Sequence, residues 1–171
     1  LNVSIRDGER IEVKGVQDLK LIKTLVEKEV ERQLMLIDVK EKLADSKVKK
    51  TDYDRDYSDL TELFKDTESS VLTKSLGKKD SAVLAVKLRG MNGLLKDMLG
   101  PELAMYARAN SNVKGLFHGD ELPAYGVTQQ EVDEVKSKIK VEGKDSFALI
   151  AGDRKNANKA LDAVIDRCIT A

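Results

Sequence analysis

The chain has 171 residues, enough for one ordinary domain or two small ones, and its 41% hydrophobic content supports packed cores and excludes a disordered tail. Thirty basic residues balance thirty acidic ones, which excludes a global field that would gather nucleic acid, so any RNA contact has to be local. A single cysteine, Cys168, excludes an internal disulfide and a cysteine-rich zinc site and suits a reducing cytoplasm, and no apolar run approaches a membrane span.

The chain opens on Leu1 inside a strand-like pattern, with no signal-peptide features, and is expected to be a piece of a longer protein. Residues 2 to 6 and 10 to 14 alternate: Val3 and Ile5 face one way with Ile11 and Val13, while Asn2, Ser4 and Arg6 face the other with Arg10, Glu12 and Lys14. The pattern predicts a β-hairpin with a loop at 7 to 9 that pairs Ile5 with Ile11, because a two-residue turn at Asp7-Gly8 would put facing side chains out of phase. The polar face of that hairpin is either a pocket wall or a solvated surface.

Asp18 is the expected N-cap of a long amphipathic helix reaching about Ala44, with Leu19, Ile22, Leu25, Val26, Val30, Leu34 and Ile37 at helical spacing. Its other face, with Glu27, Lys28, Glu31, Arg32, Lys40 and Glu41, reads as solvated. Residues 45 to 59 are almost wholly polar and are expected to be a linker, followed by a short helix near Leu60 to Phe64 and a segment from Thr67 to Leu76 that ends at Gly77. The domains expected are therefore residues 1–79, with the linker, and 80–171.

In the second domain, Val83 to Leu88 reads as a buried strand, a short helix is expected through Leu94, Leu95 and Met98, and Pro101 opens another helix that ends at Asn110. Val113 to Phe117 is expected to be a short strand. It leads into Phe117-His118-Gly119-Asp120-Glu121-Leu122-Pro123-Ala124-Tyr125-Gly126, a loop punctuated by Gly and Pro that is expected to present its side chains. Thr128 and Glu131 form a capping box, Ser146 to Ala151 is a strand, and Asp153 caps a last helix whose apolar side carries Ala157, Leu161, Val164, Ile165 and Cys168. Strands interspersed with amphipathic helices argue an α+β fold in two layers.

The loop holds the only histidine, His118, beside Asp120, Glu121 and Tyr125. A metal site needs ligands that converge, and three within four residues with no second histidine do not supply that; Asp120 and Glu121 are expected to accept backbone hydrogen bonds that stiffen the turn. Cys168 on an apolar helix face is expected to be a core residue and no partner for His118. No Gly-x-x-x-x-Gly-Lys phosphate loop is present, and the lysines at 47, 49, 50, 78 and 79 lie among acids.

Leu1-Asn2-Val3-Ser4-Ile5, then Arg10-Ile11-Glu12-Val13-Lys14-Gly15-Val16-Gln17 and Glu29-Val30-Glu31-Arg32-Gln33, resemble the later part of the cradle domain in the B/E family of tRNA-dependent amidotransferase subunits. Leu116 to Gly126, with Asp145-Ser146-Phe147-Ala148-Leu149, resembles the insertion domain shared by bacterial-type aspartyl-tRNA synthetases and the archaeal E-type subunits. The combination resembles the E-type branch of glutamyl-tRNA(Gln) amidotransferases. That resemblance implies a cradle-domain hairpin and long helix followed by an insertion domain. It also implies a parent enzyme that uses ATP and Mg2+ to phosphorylate glutamate on Glu-tRNA(Gln) and then amidates it with ammonia from an asparaginase-like D subunit.

The same resemblance implies that the polar hairpin residues Asn2, Ser4, Arg6, Glu12 and Lys14, with Gln17, border the reaction pocket, and that this stretch alone is inactive. Its metal, nucleotide and tRNA-gripping parts would lie outside these residues. The rival readings are the insertion domain of an aspartyl-tRNA synthetase and a nonenzymatic protein-binding module.

Overall fold

The alternating N-terminal pattern forms a hairpin in the first of two units, Leu1–Asp45 and Ser46–Ala171, of the computed structural model, which describes residues 1–171. Strand β1 (Asn2–Val3) pairs antiparallel with β2 (Ile11–Glu12), Asn2 opposite Glu12 and Val3 opposite Ile11. Leu1 and Val13 extend the ladder by exchanging backbone hydrogen bonds, Val13 N to Leu1 O at 2.7 Å and Leu1 N to Val13 O at 3.1 Å. The register differs from the Ile5–Ile11 pairing expected, and the connection is longer, with a turn closed by Gly8 N on Ile5 O. The slip is by two residues, so every side chain keeps its face.

Asp18 caps as expected, accepting from Lys20 N at 2.9 Å, and a single 3-10 turn leads into α1 (Ile22–Ser46). The covered side of α1 is turned from the predicted stripe: Leu19 and Leu34 are exposed, whereas Gln33 is buried. Gln33 takes that place because its amide meets polar groups, donating to Glu29 Oε1 at 2.9 Å and reaching the Val3 carbonyl at 3.5 Å.

The second unit is built on a four-stranded antiparallel sheet in the order β3 (Ser58–Asp59), β4 (Ser81–Leu88), β6 (Ser146–Asp153), β5 (Phe117–His118). Full pairing of β4 with β6 puts Val83, Ala85, Leu149 and Phe147 on one face, where they cluster with Phe64, Leu72 of α2 (Ser70–Leu76), and Val132 and Val135 of α4 (Gln129–Lys138). The alternate residues Leu84, Val86, Leu88, Ala148 and Ile150 are buried on the opposite face, on the side of α3 (Gly100–Asn110) and α5 (Arg154–Thr170). The class is α+β as expected, but helices cover both faces, which adds a layer to the two expected.

Residues 46 to 59 are not a free linker. Tyr53 Oη donates to Arg89 O at 2.8 Å, Tyr57 Oη to Asp162 at 2.5 Å, and Arg55 pairs with Asp162 and Asp166 at 3.0 and 2.6 Å. Ser58 and Asp59 then supply the edge strand. The unit boundary therefore falls at 45/46, whereas the predicted domains divide at 79/80.

The expected caps are present: Thr128 and Glu131 bond reciprocally at the start of α4, and Asp153 accepts from Asn156 N at 3.0 Å. The short helix expected through Leu94 to Met98 is not regular. Lys96, Asp97 and Met98 leave helical dihedrals, Asp97 with φ of +59°, while Leu94, Leu95 and Leu99 point into the core. The strand expected over Val113 to Phe117 is confined to Phe117 and His118. Cys168 is buried, and burial pushes its thiol up to about 12. No helix is long and apolar enough to cross a membrane.

Candidate functional site

Two clusters of chemistry-bearing residues stand out, one in each unit. On the hairpin, antiparallel pairing sets Asn2 directly across from Glu12, and Lys14 Nζ lies 3.3 Å from Glu12 Oε2. Both partners of that pair are well exposed, at 79% and 58%, so the attraction is screened and worth about 0–1 kcal/mol, and Lys14 can turn to another anion at little cost. Ser4 is exposed just beyond β1. Arg6 sits in the turn, 3.8 Å from Asp7, and Gln17 is exposed after β2; the strand pairing sets Asn2 against Glu12, to which Lys14 is joined as a neighbour two residues along, and does not bring in Ser4, Arg6 or Gln17. Gln33, absent from the candidates, lies under the hairpin from α1; its place as the polar residue inside an apolar stripe was the available signal.

The second cluster surrounds β5. Phe117 pairs with Leu149 and His118 with Ala148, and because successive residues of a strand face opposite ways, His118 turns inward on the α3 side of the sheet. It is 7% exposed, which corrects the expectation that the loop presents it. Asp120 also turns inward: Oδ2 accepts from Leu95 N at 2.9 Å and Oδ1 from Ser146 Oγ at 3.0 Å, which ties the irregular segment before α3 to β6. Glu121 Oε1 accepts from His118 N at 3.2 Å and so covers an amide of the edge strand that would otherwise be open to another chain. The bond to Glu121 is the turn-stiffening kind expected, whereas Asp120 ties the loop to distant segments and makes no bond within the turn. Of His118, Asp120, Glu121 and Tyr125, only Tyr125 is exposed, at 59%, with its ring 5.7 Å from that of Phe117.

The loop closes against the start of α2 through Gly126, which has φ of +81°; a Cβ there would lie 2.9 Å from Ser69 Cα. Gly100 performs a similar service for His118, since a Cβ on it would lie 2.7 Å from His118 Nε2. Between the start of α3 and the loop is a cavity of about 440 Å³ lined by Lys96, Asp97, Gly100, His118, Glu121 and Tyr125, among others. Its size is that of a small-molecule cleft. Lys96 and Asp97 escaped the sequence reading because they fall in the segment expected to be helical.

The donor set does not fit a magnesium–nucleotide centre. No group of three or more His, Cys, Asp or Glu side chains is placed to hold a metal ion, and the glycines at 90 and 93 cradle no phosphate loop. No phosphoryl step is assigned to these residues.

Comparison with known proteins places two families along the chain. The family "GatB/GatE catalytic domain" matches residues 1–82, and the family "GAD domain" matches residues 74–161. Among curated relatives, the E-type subunit of glutamyl-tRNA(Gln) amidotransferase from Pyrococcus furiosus is 43% identical over 98% of this chain, and that of Methanocaldococcus jannaschii is 42% identical over 98%. The corresponding protein of Methanothermobacter thermautotrophicus is 43% identical over the same share. The chain spans 27%, 27% and 26% of the lengths of these three relatives.

Proposed function

Because the chain belongs to the GAD-domain family and carries GatB/GatE catalytic-domain sequence in front of that domain, we propose that it works within an E-type subunit of a glutamyl-tRNA(Gln) amidotransferase. The observation that carries this reading is the joining of the two families in one chain, 98% of which aligns with E-type subunits. An isolated insertion domain of a synthetase would not bring the GatB/GatE hairpin and helix with it.

The reaction proposed for the whole subunit is conversion of Glu-tRNA(Gln) to Gln-tRNA(Gln), with ATP and Mg2+ activating the glutamate as a γ-phosphoryl-glutamyl intermediate, an acyl phosphate, from which ammonia released by an asparaginase-like D subunit displaces phosphate. Phosphorylation is chemically necessary in such a scheme because a carboxylate oxygen is a poor leaving group. Within this chain the hairpin contributes Asn2, Glu12 and Lys14 to a pocket wall, with Ser4, Arg6 and Gln17 at its margins. The exposed ammonium of Lys14 is the group suited to an anionic substrate, since Glu12 holds it only weakly.

The test places this sequence in the Pyrococcus furiosus protein in place of the matching stretch and compares the Lys14→Ala form with the unaltered graft. Amidation of Glu-tRNA(Gln) is expected to fall with the fold intact by circular dichroism. Equal turnover by the two would remove Lys14 from the pocket.

A further inference from the structure

We infer that Gln33 is a positioning residue: it selects the register of the β1–β2 hairpin and so fixes where Glu12 and Lys14 stand along the candidate pocket wall. The functional half of this inference deepens the amidotransferase reading and rests on it.

The hairpin's own sequence does not choose the observed register. A loop at 7 to 9 would pair Ile5 with Ile11, Val3 with Val13 and Asn2 with Lys14, giving a longer ladder and a shorter connection. The structure instead pairs Val3 with Ile11 and Asn2 with Glu12 and leaves residues 4 to 10 between the strands. Both registers keep every side chain on its face, so burial of the apolar side does not separate them. The choice has to come from outside the hairpin.

Gln33 is placed to make it. It is 3% exposed, one of only two buried residues of α1, and it meets the hairpin at two points. Its Nε2 reaches the Val3 carbonyl of β1 at 3.5 Å and donates to Glu29 Oε1 at 2.9 Å, and Glu29 accepts in turn from Arg32 Nη1 at 3.1 Å. Its Oε1 is buried, accepts no hydrogen bond and stands against Gly8 in the turn, where a Cβ would lie 2.3 Å from it and 2.8 Å from Ile5 Cγ1. A side chain at position 8 would have to displace the amide. In the other register Ile5 and Arg6 would join the strand, the turn closed by Gly8 N on Ile5 O would open, and Gly8 would leave Gln33. The two contacts therefore hold together only in the register observed.

A buried amide with an unbonded oxygen is less stabilising than an apolar side chain of the same size, and fixing register is the use to which such residues are best suited. Here register has a chemical consequence. Lys14 stands 3.3 Å from Glu12, one residue beyond the Leu1 and Val13 hydrogen bonds; after the slip it would face Asn2. Two residues of strand are about 7 Å, far more than the ångström or so that separates a productive from an unproductive geometry.

Two variants disturb the contact from opposite sides: Gln33→Met keeps the length and removes the polar atoms, and Gly8→Ala pushes the amide away. In the isotope-labelled 171-residue chain, cross-strand nuclear Overhauser effects read the register, Val3 with Ile11 in the unaltered protein and Val3 with Val13 or Ile5 with Ile11 after a slip. Both variants are expected to lose the first set in favour of the second, with the urea midpoint of Gln33→Met no lower than that of the unaltered chain. Undiminished Val3–Ile11 effects in both variants overturn the proposal, as does a Gln33→Met chain whose hairpin is unfolded, since Gln33 would then hold the hairpin without choosing its register. In the Pyrococcus furiosus graft, Gln33→Met is expected to lower turnover at saturating Glu-tRNA(Gln) about tenfold or more, to leave KM within about twofold, and to have no further effect beside Lys14→Ala. A changed register with unchanged turnover would take the hairpin out of the pocket and leave the register assignment standing, whereas an unaltered graft without amidation would fail the enzymatic reading by itself.

Discussion

The side-chain amide of Gln33 donates to Glu29 Oε1 at 2.9 Å and lies within 3.5 Å of the Val3 carbonyl, so one buried polar residue of α1 underlies the strand that carries the candidate pocket face. Glu29 also accepts from Arg32 Nη1 at 3.1 Å. The hairpin has only two strands and few buried side chains, and a lone two-stranded ribbon is marginal in water. Its order therefore depends on what α1 places beneath it. Gln33→Ala is expected to cost about 1 kcal/mol and to speed hydrogen exchange at the Val13 amide, which bonds to Leu1 O. Unchanged exchange would show that the apolar contacts alone hold the ribbon.

A second buried polar contact sits in the other unit. Arg167 Nε donates to Glu102 Oε1 at 2.8 Å, with the two side chains 5% and 7% exposed, and the guanidinium lies 5.8 Å from the Tyr106 ring centre. Removing one member of a buried pair strands the other charge, so Glu102→Ala is expected to destabilise the chain by about 3–5 kcal/mol in urea unfolding. Replacing both residues with Leu and Met is expected to recover most of that loss. A double variant as unstable as the single one would contradict the account of the pair.

Alkaline pH probes the packing of the 46–59 segment and of α5 together. Burial raises the Cys168 thiol from 9.0 to about 12. Burial also raises Tyr53 and Tyr57, aided by nearby acidic groups around Tyr53 and by the hydrogen bond of Tyr57 to Asp162. The fold favours the neutral form of each group. Their contribution is therefore complete below the unfolded values, near 9 for the thiol and 10 for the tyrosines, and is lost as pH rises toward the folded values. The urea midpoint is expected to fall steadily above about pH 9, and less steeply at first in Cys168→Ala. A flat profile through that range would mean that these groups are solvated.

What the sequence disclosed follows from how local each feature is. The caps at Asp18, Thr128 and Asp153 depend on bonds two or three residues away, and all three are found where expected. The faces of the hairpin follow from a period of two, but its register does not, because sliding by two residues preserves every face. The polar stretch at 46–59 reads as a linker because its partners, Asp162 and Asp166, lie more than a hundred residues away. His118 reads as a loop residue because β5 is only two residues long and its inward turn is set by pairing with β6. Within the candidate sites, the polar hairpin face and the Tyr125 loop were visible, whereas Lys96 and the buried Gln33 required the tertiary structure.

The most direct measurement replaces the stretch of the Pyrococcus furiosus E-type subunit that matches this chain with the 171 residues themselves and assays formation of Gln-tRNA(Gln) from Glu-tRNA(Gln). At 43% identity over 98% of the chain, the graft is expected to fold and to amidate at a rate within about tenfold of the parent. A graft that folds, assembles and binds tRNA but forms no Gln-tRNA(Gln) would contradict the central claim that this sequence works as part of an amidotransferase.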